Sequence, residues 1–190
     1  LFRKMGSGIL FFLWGLFQKL VIADRLGIFV DNVFADYQNT GGGVFLLTLA
    51  FYSIQTYADF SGCMDICRWI SEILGIHLEN NFNHPYFAKT IPEVWQRWHL
   101  SMGAWFKDYL FLPISNSSFV KKSSKKLGVK YGSGVRKKFA ASFPVAIVWL
   151  ATGVWHGAGW TFIFWGLFHG CLTIGGTVFS ERISRLTSVL

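Results

Sequence analysis

Val154-Trp155-His156-Gly157-Ala158-Gly159-Trp160 lies in the middle of forty-two residues, Phe139 to Ser180, that contain no Asp, Glu, Lys or Arg. A single helix of that length would extend about 63 Å, roughly twice a hydrocarbon core of ~30 Å, so the stretch must cross a membrane twice or break. The break belongs at the glycines. Gly153, Gly157 and Gly159 lower helix propensity within one short window, and they let backbones approach closely. His156 is thereby placed beside a bend inside or near the membrane. An imidazole at that depth is costly unless it faces protein or a water-filled cavity, which makes His156 a candidate functional residue. The competing reading is a packing histidine with its hydrogen bonds satisfied by its neighbours.

The surrounding composition agrees with a membrane setting. The 190 residues are 52% apolar with a mean hydropathy of +0.39, richer than an ordinary soluble domain. Residues 1–190 read as one membrane domain. The opening, Leu1 followed by Arg3-Lys4 and an apolar run, lacks the small-residue cleavage site of a signal peptide, and the chain is expected to be a piece of a longer protein. Cys63, Cys67 and Cys171 are odd in number and lie in apolar surroundings, so they read as packing residues and not as a disulfide framework. No spacing of Cys, His and carboxylates reads as a metal site.

The net charge of +8 is unevenly spread. Eight of the eighteen basic residues are Lys121, Lys122, Lys125, Lys126, Lys130, Arg136, Lys137 and Lys138, and no acid occurs between Asp108 and Glu181. Residues 115–138 therefore read as a basic cytoplasmic loop under the positive-inside rule. Its plain role is to set topology; the sharper alternative is attraction of anionic lipid headgroups or of a phosphorylated substrate. Nucleic acid is not expected as a partner, because the aromatic residues lie in apolar segments and not among these lysines.

Along the chain, Met5 to Phe17 is apolar but too short to span comfortably, and residues 20–34 pattern as an amphipathic helix, which suits an interfacial or re-entrant element. Tyr37 to Gly43 is a loop. Thr40 to Ala58 holds nineteen residues without charge and reads as a membrane helix. Tyr52, Gln55, Thr56, Asp59 and Cys63 recur at three and four, so one polar face is expected to look into the protein. Asp59 is expected to pair with a basic group or to help shape a polar cavity. The helix should end near Gly75, followed by a turn-rich loop with His77 and His84. Thr90-Ile91-Pro92-Glu93 is a helix start with a capping box and a proline in the first turn, and Pro113 is the expected stop. Between them Trp95, Trp98, Met102, Trp105, Tyr109 and Leu112 form an aromatic stripe, with Arg97, Ser101, Ala104 and Asp108 on another face. A helix carrying Arg97, His99, Lys107 and Asp108 is not expected to cross lipid alone. His99 is the second candidate histidine. The chain has no G-x-S-x-G elbow, H-E-x-x-H or P-loop, the signatures of serine hydrolases, zinc proteases and P-loop enzymes.

Four motifs, Tyr57-Ala58-Asp59-Phe60-Ser61-Gly62, Asn81-Phe82-Asn83-His84-Pro85-Tyr86, Trp95-Gln96-Arg97-Trp98-His99-Leu100-Ser101 and Trp155-His156-Gly157-Ala158-Gly159-Trp160, occur in this order. Together they resemble the membrane-bound O-acyltransferase (MBOAT) family, in particular its bacterial branch of alginate O-acetyltransferases and the D-alanyl transfer protein of teichoic acid modification. The resemblance covers most of residues 10–175. It implies an all-α, multi-pass membrane protein with re-entrant or interfacial helices, of which this chain is the central and C-terminal part. It also implies a buried catalytic histidine, here His156, and a second signature histidine, here His99. The basic stretch Lys121 to Lys138 departs from the shorter, glycine-rich connection of the alginate branch.

On that resemblance the expected chemistry is transfer of a short acyl group, acetyl first and D-alanyl second, from an acyl thioester to a hydroxyl. The donor would be acetyl-CoA or an acyl carrier protein, with no tightly bound cofactor. The acceptor would be a cell-envelope polysaccharide or an extracytoplasmic partner protein that passes the group onward, with membrane lipids as surroundings in a bacterial cytoplasmic membrane. His156 is expected to act as the base and His99 to position the reactants, while Trp155, Trp98, Arg97 and Asp59 shape or charge the substrate channel. The rival from another class is a non-catalytic carrier or channel lined by Gln55, Asp59, His156 and His169; such proteins often show internal repeats and more intramembrane charge, which this sequence lacks. The basic flanks of the uncharged stretch, Arg136 to Lys138 before it and Arg182 and Arg185 after it, predict a hairpin with both ends in the cytoplasm, so that cysteines placed at Ser123 and Ser188 would share one side.

Overall fold

The computed structural model describes the backbone of residues 2–187 and the side chains of residues 8–176 and 178. The side chains of Arg3, Lys4, Arg182 and Arg185, and the whole of Ser188, lie outside the described residues. The chain is all-α: 83% is helical, no strand is present among the described residues, and an isolated extended bridge pairs Phe82 with Trp98. It divides into two compact units, residues 1–81 and residues 82–190.

In the first unit, α1 (Phe2–Leu16), a π-helical turn (Phe17–Ala23) and α2 (Asp24–Ala35) follow one another without a break and fold back on α3 (Gly42–Ile73). The antiparallel register is visible in the ring pairs Phe12–Trp69 at 4.7 Å, Phe29–Phe51 at 5.5 Å and Phe34–Phe45 at 5.9 Å. Gly15 and Gly62 let the two backbones touch: a Cβ on either would stand 2.7 Å from the other's carbonyl oxygen. The polar face expected on α3 is only partly inward. Thr48, Ala58, Ser61 and Gly62 are buried, whereas Tyr52, Thr56, Asp59 and Cys63 are exposed. Small side chains took the contact face because close approach of the backbones selects size over polarity. The three cysteines are exposed and unpaired, contrary to the expected packing role. α3 ends where expected, with Gly75 at φ +76° after it. Seventeen of the nineteen uncharged residues, Gly42 to Ala58, are its first part, and it runs on through Asp59, Asp65, Arg68 and Glu72.

In the second unit, a 3₁₀ turn (Pro85–Phe87), α4 (Ile91–Trp95), α5 (Leu100–Phe106), a π-helical turn (Lys107–Phe111) and α6 (Leu112–Asn116) precede α7 (Ser118–Tyr131), α8 (Ser133–His156) and α9 (Trp160–Thr187). The single helix expected from Thr90 to Pro113 is broken at Gln96–His99. The bridge causes the break: Asn83 N–H donates to the Arg97 carbonyl at 2.9 Å, and His99 turns into the left-handed region at φ +49°. Pro113 does not stop the chain. It sits in the first turn of α6, directly after the π-helical turn, where the helix is already adjusted for a residue that cannot donate. Ser117 ends α6 and caps α7 by accepting from Val120 N–H at 3.3 Å. The basic stretch expected as a loop is thus helical over Ser118–Tyr131, because Val120 and Ser124, one turn apart, give it a face to bury. The break in the uncharged stretch falls at Gly157-Ala158-Gly159, as the glycines required. Among the described helices, α8 is the one long and apolar enough to cross a membrane by length and composition.

Candidate active site

α8 and α9 form a hairpin whose close contact is built from glycine. A Cβ on Gly166 would stand 2.5 Å from the Trp149 carbonyl oxygen and 3.0 Å from the Gly153 Cα, and one on Gly153 would stand 2.6 Å from the Phe162 carbonyl oxygen. On α8, Trp149, Gly153 and His156 follow at helical spacing; on α9, Trp165 and His169 lie one turn apart. α4 leans on α9, with Pro92 beside Gly176, and delivers Trp95 to the same place.

The result is a continuous chain of rings joining three histidines. Trp155 lies 6.2 Å from His99 and 4.8 Å from His156; Trp165 lies 4.8 Å from His156 and 4.8 Å from His169. Trp95 closes the far end, 4.9 Å from His169 and 4.7 Å from Trp149, which itself stacks on His169 at 5.6 Å. The His169 Nδ1 and the Trp95 Nε1 are buried there without a hydrogen-bond partner.

His99 is half-buried, and burial, with a smaller contribution from His156, pushes its pKa below the ordinary histidine value. Two flanking interactions fix its backbone. Arg97 binds Glu93 at 2.6 Å and reaches the Asn83 carbonyl at 3.5 Å, while Trp98 meets Phe82 edge-on at 5.0 Å. The Glu93 carboxyl is held below the usual carboxylate range, first by the Lys89 N–H and then by Arg97. The capping box is consequently half as expected: Thr90 Oγ1 accepts from Glu93 N–H at 3.3 Å, but Glu93 accepts from Lys89 N–H at 2.8 Å.

His156 is exposed, where the family resemblance implied burial. It is the last residue of α8, and the Gly157-Ala158-Gly159 turn after it has no bulky side chain to cover the ring. The structure brings His99, Trp155 and His156 together and makes Arg97 and Trp98 the strap that holds His99. Asp59 belongs to the other unit, in an ion pair of 2.6 Å with Lys19, which also reaches Asp24 at 3.0 Å; this is the structural pairing expected for it. His77 is paired with Glu72 at 2.6 Å, and among the described residues no three potential ligands are grouped to hold a metal ion. Sequence reasoning grouped His169 with His156 only as part of the rival channel lining, not with the candidate catalytic pair, and did not single out Trp165. Their i, i+4 spacing on an uncharged helix that returns toward His156 was the available signal.

No family model matches the chain. It is 36% identical over 167 residues, 88% of its length, to a probable alginate O-acetylase of Azotobacter vinelandii. It is also 36% identical over 169 residues to a peptidoglycan O-acetyltransferase of Helicobacter pylori, and 34% identical over 127 residues to a teichoic acid D-alanyltransferase of Bacillus subtilis. These relatives are enzymes of the membrane-bound O-acyltransferase branch that the four motifs resemble. The matched part of each of these three MBOAT relatives is 29% to 30% of that relative's length.

Proposed function

We propose that this chain carries the histidine site of a membrane O-acyltransferase that moves a short acyl group from a thioester to a hydroxyl of a cell-envelope polysaccharide or of a partner protein. The observation that carries the reading is the placement of His99 and His156 on either side of Trp155. His156 takes the proton of the acceptor hydroxyl as its oxygen attacks the thioester carbonyl. The C–O bond forms, the C–S bond breaks, and the leaving thiolate recovers the proton from the imidazolium. His99, kept neutral by burial, orients the reactants or donates to the oxyanion. Trp155, Trp98 and Arg97 line or hold the approach; Asp59, tied to Lys19, supports the first unit. The donor is acetyl-CoA or an acyl carrier protein.

Acetyl is the first choice of acyl group because the Azotobacter and Helicobacter relatives are named for O-acetyl transfer, and D-alanyl is the second because the Bacillus relative is named for that group. The membrane part of the reading is multi-pass insertion in a bacterial cytoplasmic membrane, with α8 and α9 crossing as a hairpin and the α4–α6 strap entering from one side. The test is release of free thiol from an acyl thioester by purified protein in the presence of a hydroxyl acceptor. His156→Ala should lower turnover by ~10²–10⁴-fold while the protein inserts and accumulates normally, and His99→Ala should lower it less. Undiminished turnover in His156→Ala would remove the catalytic assignment; a carrier or channel would show no thioester turnover at all.

A further inference from the structure

We propose that the hairpin of α7 and the first turns of α8 is a docking surface for anionic phospholipid headgroups. All eight cations between Lys121 and Lys138 are exposed, and none takes part in an ion pair among the described residues. The fold concentrates them. Gly132, at φ +95°, turns the chain back so that Gly128 meets Arg136 with a Cβ approach of 3.0 Å, and Phe119 packs on Phe143 at 5.4 Å. The five lysines of α7 are thus gathered beside Arg136, Lys137 and Lys138. Val120 and Ser124 form the buried face, so the lysines occupy the outer one.

Two features select a bilayer surface over a soluble acidic partner. Phe119, Val129 and Tyr131 are exposed among the lysines, and Lys130 lies 5.0 Å from the Tyr131 ring, the mixture of cations and apolar side chains found on helices that sit at a lipid interface. The patch is also continuous with α8. Arg136 and His156 are twenty residues apart on that helix, about 30 Å at ~1.5 Å per residue, which is the thickness of a hydrocarbon core. A cationic cluster at one end of a crossing helix meets the headgroups of that leaflet, and cytoplasmic leaflets are the anionic ones. A phosphate bound there would lie on the opposite face of the bilayer from His156 and could not serve the histidine site directly.

The proposal rests on the reading of α8 as a membrane crossing and not on acyl transfer. Purified protein in neutral detergent is titrated with phosphatidylglycerol and with phosphatidylcholine, and retained lipid is read by native mass spectrometry. The expected result is a preference for phosphatidylglycerol that weakens with salt, falls at least about tenfold when Lys121, Lys122, Lys125, Lys126 and Lys130 are all changed to Gln, and survives a Lys89→Gln, Lys107→Gln control. Circular dichroism establishes that the five-fold variant keeps its helicity, which the exposure of these side chains leads us to expect. Equal retention of the two lipids by the parent, or an unchanged preference in the variant, would overturn the proposal. So would tight binding of polyglutamate with no preference between the lipids, which would assign the surface to an acidic protein. Carbonate extraction from pure phosphatidylcholine vesicles reads the crossing separately. Release would overturn the membrane premise and the proposal with it, whereas retention without a headgroup preference would overturn the docking alone.

Discussion

His99 combines two costs that a residue of no special role would shed. Its φ of +49° is a left-handed conformation that costs a side chain with a Cβ roughly 1–2 kcal/mol, and its imidazole is half-buried against Trp155. His99→Gly should therefore keep stability within about 1 kcal/mol of the parent while transfer falls, and His99→Val should lose both, as read by thermal unfolding and thiol release. The lowered pKa gives a second readout. A histidine whose folded pKa is depressed adds nothing to stability at high pH, where both states are neutral. As pH falls through the ordinary value of about 6.5, the unfolded chain takes up the proton first and the folded state is progressively destabilised until its own lower pKa is reached. The parent should lose stability over that window and His99→Gly should lose less of it. The identity of His99 as a candidate was legible in Trp95-Gln96-Arg97-Trp98-His99. Its strained backbone was not, because that depends on Asn83 and Phe82 pairing with Arg97 and Trp98 across a turn that no local pattern announces.

At the scale of elements, local signals were read well and long-range ones poorly. The Thr90 cap, the end of α3 before Gly75 and the break at Gly157-Ala158-Gly159 each depend on residues a few positions apart, and each lies where expected. The unbroken helix expected from Thr90 to Pro113 failed to a bridge from Phe82, and the helical form of the basic stretch was missed because it depends on a packing face for α7 on α8. The glycines separate the same two kinds of cause. Gly166→Ala would put a methyl 2.5 Å from the Trp149 carbonyl oxygen, so α8 and α9 must part and the Trp149, Trp165 and His169 rings must shift. It should cost about 1–3 kcal/mol and lower transfer. Gly103→Ala, inside α5 with nothing within 4 Å of the new methyl, should instead stabilise by about 0.5–1 kcal/mol with transfer unchanged. Thermal unfolding in one detergent compares the two directly, and equal effects would mean that helix propensity, not the close crossing, decides at Gly166.

For the whole molecule the decisive quantity is charge against length. Net charge is +8, and the eight cations between Lys121 and Lys138 are as many as that entire excess, so the positive-inside rule predicts the cytoplasmic side for them in the proposed membrane setting. α8 leaves that cluster and runs twenty-four residues to His156, about 36 Å at ~1.5 Å per residue, enough to exceed a ~30 Å core. If α8 crosses as proposed, Ser133 and Ala158 are expected on opposite faces, and both are exposed. The order of the four motifs made the family legible without this geometry. The sidedness was not fully legible, because Arg182 and Arg185 speak only to the far end of the hairpin. Cys63, Cys67 and Cys171 are exposed and unpaired, so a labelling background requires replacing all three with Ser. In that background a membrane-impermeant thiol reagent should label Ala158→Cys in intact cells and Ser133→Cys only after permeabilisation. Labelling of both in intact cells would place the two ends of α8 on one face. His156 would then have to meet donor and acceptor from the same side, and transfer from an inside donor to an outside acceptor would need a different path.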